Sequence, residues 1–182
     1  MIQIERSVLS SLNKLLFFFD EGRFGLKPVM ARFWAKRGER IVVKSKPGYT
    51  NFYSYSSVSP HAGDSFSLLL PWVNTDMMNL YLVELSKAYP QKEIILVMDQ
   101  AGWHKSKTLK IPENMSIIYL PPYSPELNPV ERLWQRLKRH VCRNRYFESV
   151  KSLANEICRY LGKLSKLDAK KLCRCPYLSY YK

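Results

Sequence analysis

Long apolar segments are missing from this sequence. Its apolar runs, such as those at 15–19 and 68–70, are far shorter than the roughly 20 residues that a membrane-spanning helix needs. The first residues also lack the basic stretch, apolar run and small-residue cleavage site of a secretory signal. We therefore predict a cytoplasmic protein with no membrane partner.

Cysteine is scarce and unevenly distributed. The four cysteines, Cys142, Cys158, Cys173 and Cys175, all fall in the last quarter of the chain. Such a set is too small and too one-sided for a disulfide framework, so we predict free thiols. A zinc site that uses Cys173 and Cys175 with the other two stays open as an alternative, although the spacing matches no standard ligand pattern.

Acidic residues are also few. Lysine and arginine number 29 against 15 aspartates and glutamates, which leaves a formal net charge of +14. A charge of that size favours a polyanionic partner, and nucleic acid is the first candidate. Two alternatives are a charge that only keeps the protein dispersed and an anionic membrane surface. The second fits less well, because the basic residues do not follow one amphipathic helix.

The remaining pattern predicts one domain with a mixed α/β fold. At 182 residues the chain is long enough for one sizeable core and short for two. Apolar runs bounded by turn residues predict strands at 15–19, 41–43, 51–58, 66–73, 94–98 and 117–120. Helical periodicity predicts helices at 76–89, 129–145 and 150–164, with Thr75 and Asn128 as caps for the first two, followed by a basic, tyrosine-rich tail.

Three acidic side chains are the candidates for chemistry. Asp20 and Asp99 directly follow two apolar runs, and ligands in open α/β sheets gather at such strand ends. Glu131 falls in the first turn of the predicted helix 129–145. Each acid alone could simply begin a turn or cap a helix. Three carboxylates from three elements, however, are the hard oxygen ligands that Mg²⁺ prefers.

Three stretches around these acids carry a family resemblance. They read FFDEGRF at 18–24, VMDQAGWHK at 97–105 and LPPYSPELNPVERLW at 120–134. These stretches resemble the three acidic motifs of the mariner-like DDE transposases, in particular their bacterial insertion-sequence branch. The third stretch is the most specific, and the resemblance extends from about residue 15 to 145.

The resemblance implies both a fold and an activity. The fold would be ribonuclease H-like, a mixed sheet with helices on both faces, and Asp20, Asp99 and Glu131 would be the metal-binding triad. Two Mg²⁺ ions, for which Mn²⁺ can substitute, would support hydrolysis of a DNA phosphodiester and strand transfer to target DNA. The implied partners are transposon ends, target DNA and a second copy of the chain in a homodimer on DNA. When bound to DNA the protein would be associated with the nucleoid.

Further residues are candidates for supporting roles. Asn128 would aim Glu131 by capping its helix, and His104 would act near Asp99, with a capping or solvent-exposed histidine as an equal alternative. Trp103 could stack on a base or belong to the core. Candidate phosphate contacts, which could equally be simply solvated, are Lys105, Lys107, Arg132, Arg136 and Arg139.

The chain departs from complete members of this family at its start. Only 19 residues precede Asp20, and a helix-turn-helix module for DNA recognition does not fit there. We therefore expect residues 1–182 to form a single catalytic domain, in which 146–182 are a C-terminal helix and basic tail. The recognition domain would be separate or missing. Two alternative functions remain: an inactive DNA-binding or assembly remnant of a transposase, and a ribonuclease H-like nuclease.

Overall fold

A twelve-residue strand, β1 (Lys14–Gly25), forms the centre of the sheet. The computed structural model describes residues 13–27, 29, 32, 34, 36–39, 42 and 50–176. Within β1, Phe17, Phe18 and Phe19 are all fully buried. Successive side chains of a strand point to opposite faces, so this strand has a core on each side, as its uninterrupted apolar run predicts.

Four further strands of the sheet lie among the described residues. They are β2 (Asn51–Val58), β3 (Ser65–Leu70), β4 (Glu93–Met98) and β5 (Met115–Tyr119). The spatial order is β3-β2-β1-β4-β5. The β1–β2 and β2–β3 pairs are antiparallel, whereas β1–β4 and β4–β5 are parallel. The prediction of a mixed sheet is thus confirmed.

β1 extends further than its apolar run indicated. Its pairing with β4 ends at Phe18, but its pairing with β2 continues from Phe18 to Gly25. Asp20 therefore lies inside the strand, and the expectation that β1 ends at this acid was wrong. Asp99, in contrast, directly follows the last residue of β4. The long antiparallel partner keeps Asp20 rigid beside the end of the shorter parallel strand.

In the described part of the chain, four α-helices cover the two faces of the sheet. They are α1 (Thr75–Ala88), α2 (Val130–Leu137), α3 (Val150–Gly162) and α4 (Lys166–Leu172). The apolar residues of α1 share one buried cluster with Phe17 and Phe19. Residues of α2, α3 and α4 share the other cluster with Phe18. In the part of the chain that the structure describes, none of the helices could span a membrane.

Several predicted boundaries differ from the structure. The predicted strand 66–73 ends at Leu70, and 41–43 lies outside the described residues except for Val42. The predicted cap Thr75 was wrong, because the Asn74 side chain accepts the Met77 N–H at 2.8 Å. Where only a basic tail was expected, α4 follows α3; Ser165 caps it by accepting the Asp168 N–H at 3.1 Å.

The predicted helix 129–145 consists of two parts. Its α-helical part is α2, and a π-helical turn spans Lys138–Cys142. The sequence predicted Asn128 at the cap position, but Pro129 occupies it. The Asn128 side chain nevertheless accepts the first helical N–H, that of Val130, at 3.2 Å. Asn128 therefore still binds the first turn of the helix, although it lies one residue before the cap position.

Candidate active site

A cleft with a volume of about 510 Å³ opens where β1, β4 and the start of α2 meet. Asp20, Asp99 and Glu131 all line this cleft. The sequence separates the first and last of these by more than one hundred positions, and the fold brings them to one cavity. Its other lining residues are Gln100, Ala101, Lys105, Leu120, Pro121, Pro122, Tyr123, Ser124, Pro125 and Asn128.

Asp20 lies on the face of β1 that α2 covers. Its Oδ2 accepts a hydrogen bond from the Trp134 indole N–H at 2.7 Å. Burial raises the pKa of Asp20 to about 7; the Trp134 bond opposes this shift, and the negative charges of Glu21 and Glu131 add to it. The cleft therefore holds a carboxylate with little compensation for its negative charge, a property that favours a cation.

Gly22 allows Trp134 to reach Asp20. A Cβ at position 22 would lie only 2.8 Å from the Trp134 ring, closer than van der Waals contact allows. The glycine and the tryptophan both lie in the motifs quoted above, 18–24 and 120–134. Their contact couples the first motif to the third and fixes the indole against the strand that carries Asp20.

Asp99 is the more exposed of the two aspartates, with 57% of its side chain accessible. Its Oδ1 accepts the Ala101 N–H at 3.0 Å and lies 2.8 Å from the His104 Nδ1. The hydrogen bond from His104 is the main reason that the pKa of Asp99 is lowered. Asp99 is thus ionised near neutral pH, and its Oδ2 takes part in neither bond.

Glu131 is exposed in the first turn of α2. The helix that carries it is tied to the sheet by Asn128, which is buried and donates from Nδ2 to the Phe19 carbonyl at 2.8 Å. Phe19 directly precedes Asp20 in β1. Asn128 therefore links the start of the Glu131 helix to the backbone beside Asp20, which is a more specific task than the capping role that the sequence predicted.

His104 is buried, and the solvent-exposed alternative is wrong. Its ring is 1% exposed and lies between two carboxylates, with Nε2 3.0 Å from the Glu21 Oε1 in addition to the bond with Asp99. Burial lowers the pKa of His104, but the hydrogen bonds to Asp99 and Glu21 outweigh it and raise the value to about 9. The histidine is therefore an imidazolium at neutral pH.

Glu21 was missed as a functional candidate in the sequence. Its side chain is 7% exposed, on the face of β1 opposite Asp20, and its Oε1 also accepts the Trp103 indole N–H at 3.0 Å. Trp103 is thus anchored and partly buried. The signal was the strand period, because residues 17 and 19 are buried on the same face as residue 21, where an acid requires a partner.

The predicted basic residues have different surroundings. Lys105 is exposed, lines the cleft, and donates to the Gln100 side chain. Lys107 and Arg139 are exposed as well. Two others bond within the chain: the Arg132 guanidinium donates to the Arg174 carbonyl at 2.7 Å, and the Arg136 Nε donates to the Tyr160 hydroxyl at 2.8 Å. None of these four lines the cleft.

The donor chemistry of the cleft fits a hard divalent cation. Carboxylate oxygens are the ligands that Mg²⁺ and Mn²⁺ prefer, and Asp20 is destabilised as an anion. The three acids are not a preformed ligand set, because in the described part of the chain no three His, Cys, Asp or Glu side chains are arranged as they would be around a bound metal ion. The zinc alternative for the cysteines has no support for the same reason.

The fold is that of a ribonuclease H-like protein. The structure is similar to the Mos1 transposase paired-end complex with left transposon end, with a TM-score of 0.69, 15% identity and coverage of 92% of this chain. It is also similar to the Mos1 mariner paired end complex with Mn, with a TM-score of 0.67 and 17% identity over 92% of this chain. The chain spans 54% of each of those proteins.

Sequence comparisons identify the family. The profile of the DDE superfamily endonucleases matches residues 15–154, and the chain belongs to this family. An uncharacterized protein of Sinorhizobium fredii, y4pE/y4sA, is 36% identical over 62% of this chain and 84% of its own length. The insertion element IS630 uncharacterized 39 kDa protein of Shigella sonnei is 30% identical over 86% of this chain and 47% of its own length.

Proposed function

We propose that this chain hydrolyses a phosphodiester of DNA and transfers the freed 3′ end to target DNA during transposition. The observation that carries the proposal is the convergence of Asp20, Asp99 and Glu131 on one cleft. Their carboxylates come from a strand, a strand end and a helix, all of which are rigid elements. The reaction is metal-dependent and needs no covalent protein intermediate.

In this proposal Asp20, Asp99 and Glu131 hold two divalent ions, Mg²⁺ or Mn²⁺. When bound, such ions activate the attacking water or hydroxyl and stabilise the leaving oxygen. Coulombic repulsion from Glu131 already contributes to the raised pKa of Asp20, so the two acids interact. Cation binding would relieve that repulsion and keep Asp20 ionised.

The surrounding residues serve to orient these carboxylates. Trp134 holds Asp20 through its indole N–H, His104 holds Asp99, and Asn128 anchors the start of the Glu131 helix. Lys105 at the cleft wall would attract the DNA phosphate. Catalysis then depends on positioning of the phosphate and electrostatic stabilisation of its transition state.

DNA is the proposed partner, for two reasons. The net charge of +14 favours a polyanion, and the Mos1 complex with a similar fold is one with the left transposon end. Binding through Lys and Arg releases counterions, so affinity should fall steeply with salt and depend little on sequence. Lys107, Arg132, Arg136 and Arg139 are further proposed phosphate contacts.

The chain spans about half the length of the IS630 protein and of Mos1. We propose that recognition of transposon ends is supplied by a further domain or a separate polypeptide, and that the chain acts as a homodimer on DNA. An excision assay in cells, with this frame alone and with adjacent upstream sequence restored, tests this. Efficient end-specific excision by residues 1–182 alone would contradict it.

The decisive experiment measures cleavage of duplex DNA and of an RNA–DNA hybrid with Mg²⁺ or Mn²⁺. The expected result is metal-dependent cleavage of DNA, which Asp20→Asn, Asp99→Asn and Glu131→Gln each reduce by roughly 10³-fold or more, or about 4 kcal/mol of transition-state stabilisation. Glu126→Gln is the matched control, because Glu126 is exposed beside the cleft without lining it.

Each alternative function has its own outcome in this assay. Preferential cleavage of the hybrid would favour a ribonuclease. DNA binding without cleavage under any metal would favour an inactive remnant. Full activity of Asp99→Asn would contradict the assignment of the three acids while leaving the family membership untouched.

A further inference from the structure

The buried carboxylate of Glu21 has no task in the proposed reaction. It points to the face of the sheet opposite Asp20, and it does not line the cleft. Its side chain is 7% exposed. Burial of an ionised carboxylate costs several kcal/mol unless charged and hydrogen-bonding partners compensate. The presence of a buried acid next to the candidate site, despite this cost, therefore needs a physical explanation.

The partners of Glu21 lead directly to Asp99. The Glu21 Oε1 accepts from the Trp103 indole at 3.0 Å and lies 3.0 Å from the His104 Nε2. The other ring nitrogen of His104 lies 2.8 Å from the Asp99 Oδ1. The His104 ring thus lies between the two acids, with one ring nitrogen within hydrogen-bond distance of each.

The ring of His104 is also held from the sides. Phe19 and Trp103 contact it in edge arrangements, with centroid distances of 5.7 and 5.6 Å. The His104 carbonyl accepts the Tyr119 hydroxyl at 2.7 Å. The position of the ring is therefore fixed by packing, and its orientation is fixed by the two carboxylates.

We propose that Glu21 is a positioning residue that acts through His104 to orient the Asp99 carboxylate toward the cleft. His104 and the Ala101 N–H both bind Oδ1 of Asp99. That oxygen is thereby committed to the protein, and Oδ2 remains for a cation. A glutamine at position 21 is uncharged and can turn either its amide oxygen or its amide NH₂ toward Nε2, so the ring is held less firmly and can rotate. Asp99 then samples several orientations.

This inference rests on the proposed function, and its test uses Mn²⁺ binding in addition to cleavage. Glu21→Gln keeps the shape of the side chain and removes its charge. We expect the affinity for Mn²⁺, measured by calorimetry without DNA, to fall by roughly 10- to 100-fold, the range for residues that orient metal ligands. The rate constant kcat of DNA cleavage should fall while KM changes little, because Glu21 does not line the cleft.

The matched control is Glu126→Gln, which removes one negative charge from an exposed position beside the cleft. It should bind Mn²⁺ like the wild type. A separate readout is the His104 ring in nitrogen-detected NMR: the Nε2 signal should shift in Glu21→Gln and keep its wild-type position in Glu126→Gln. A change of overall fold alone would not shift that one signal selectively.

The outcomes separate this inference from the proposed function. Mn²⁺ binding that Asp20→Asn abolishes and Glu21→Gln leaves at the wild-type value would overturn the positioning role alone. Absence of Mn²⁺ binding in the wild type would overturn the proposed metal site and the positioning role with it. Should Glu21→Gln not fold, Trp103→Phe, which removes one donor to Glu21, decides: an intermediate loss of affinity supports the inference and an unchanged affinity overturns it.

Discussion

Asp20 and Glu21 are neighbours on one strand, yet their side chains point to opposite faces of the sheet. Each accepts a hydrogen bond from a tryptophan indole: Trp134 for Asp20 at 2.7 Å and Trp103 for Glu21 at 3.0 Å. The alternation of side chains along β1 separates them, since Asp20 faces α2 and Glu21 faces the layer that contains α1. Two similar acids with similar donors thus have different surroundings.

The difference lies in the charge that compensates each acid. Glu21 faces the His104 imidazolium, so its charge is balanced inside the protein. Asp20 has a neutral indole and two acidic neighbours, Glu21 and Glu131, and burial raises its pKa to about 7. An acid whose charge is balanced internally can position other groups. An acid without such balance is suited to bind a cation from solution.

The largest expected effect is on the pH dependence of stability in metal-free buffer. The pKa of Asp20 is about 7 in the folded protein against 3.8 for the ordinary group. Because the folded pKa is the higher one, the folded state binds the proton more tightly. Its free energy of unfolding should therefore fall as pH rises from about 4 to about 7, by at most about 4 kcal/mol.

Asp20→Asn should remove this fall and be more stable than the wild type above pH 7. Urea denaturation at pH 5 and pH 8 in the presence of a chelator measures the difference. Glu113→Gln, a change at an exposed acid, is the control and should retain the wild-type slope. An identical pH slope in Asp20→Asn and the wild type would show that Asp20 is not the uncompensated acid.

Glu21→Gln should act in the opposite direction. Removal of this carboxylate leaves the His104 imidazolium with one anionic partner instead of two, and hydrogen bonds between charged groups contribute about 1.5–3 kcal/mol each. We expect a loss of about 2 kcal/mol in the free energy of unfolding at pH 7. Thermal denaturation of Glu21→Gln and of Asp20→Asn, each compared with the wild type, measures the two changes in stability. Stabilisation by both substitutions would remove the contrast between the two acids.

The sequence indicated the acids of the cleft better than it indicated the role of Glu21. Asp20, Asp99 and Glu131 could be proposed as metal ligands because motifs mark them, and the apolar runs indicated the strand that carries Asp20 and the strand that precedes Asp99. The mixed sheet and its helices were predicted from periodicity. These features depend on local pattern, and local pattern survives in a single sequence.

The role of Glu21 depended on a partner 83 positions away. Nothing in local periodicity pairs residue 21 with residue 104, and an acid after an apolar run also suits a turn. The end of β1 was misjudged for a related reason, since its last residues are held by pairing with β2 and not by their own apolar character. The cap of α1 differed by one residue because the Asn74 side chain, and not that of Thr75, accepts the Met77 N–H.

A substitution at Gly22 should perturb the surroundings of Asp20 and leave those of Glu21 unchanged. An added Cβ would lie 2.8 Å from the Trp134 ring, so Gly22→Ala must displace the indole or the strand. Overpacking of this kind costs about 1–3 kcal/mol. Gly162→Ala is the control, because nothing lies within 4 Å of a Cβ there. Equal melting temperatures for both variants would contradict the close packing of Trp134 on β1.

The smallest effect should come from Trp134→Phe, and its value lies in the comparison with Trp103→Phe. The Trp134 indole N–H opposes the rise in the pKa of Asp20. Its loss should raise that pKa further and move the pH-dependent fall in stability to higher pH by roughly half a unit to one unit, since one hydrogen bond contributes about 1 kcal/mol and one pKa unit equals about 1.4 kcal/mol.

Trp103→Phe removes the same indole N–H from the opposite face of the sheet. Trp103 donates to Glu21 and not to Asp20. Trp103→Phe should therefore lose the stability of one hydrogen bond, about 1 kcal/mol, while the pH at which stability falls stays at the wild-type value. Urea denaturation from pH 4 to pH 8 distinguishes the two variants, and equal shifts in both would mean that the indoles do not act separately on the two acids.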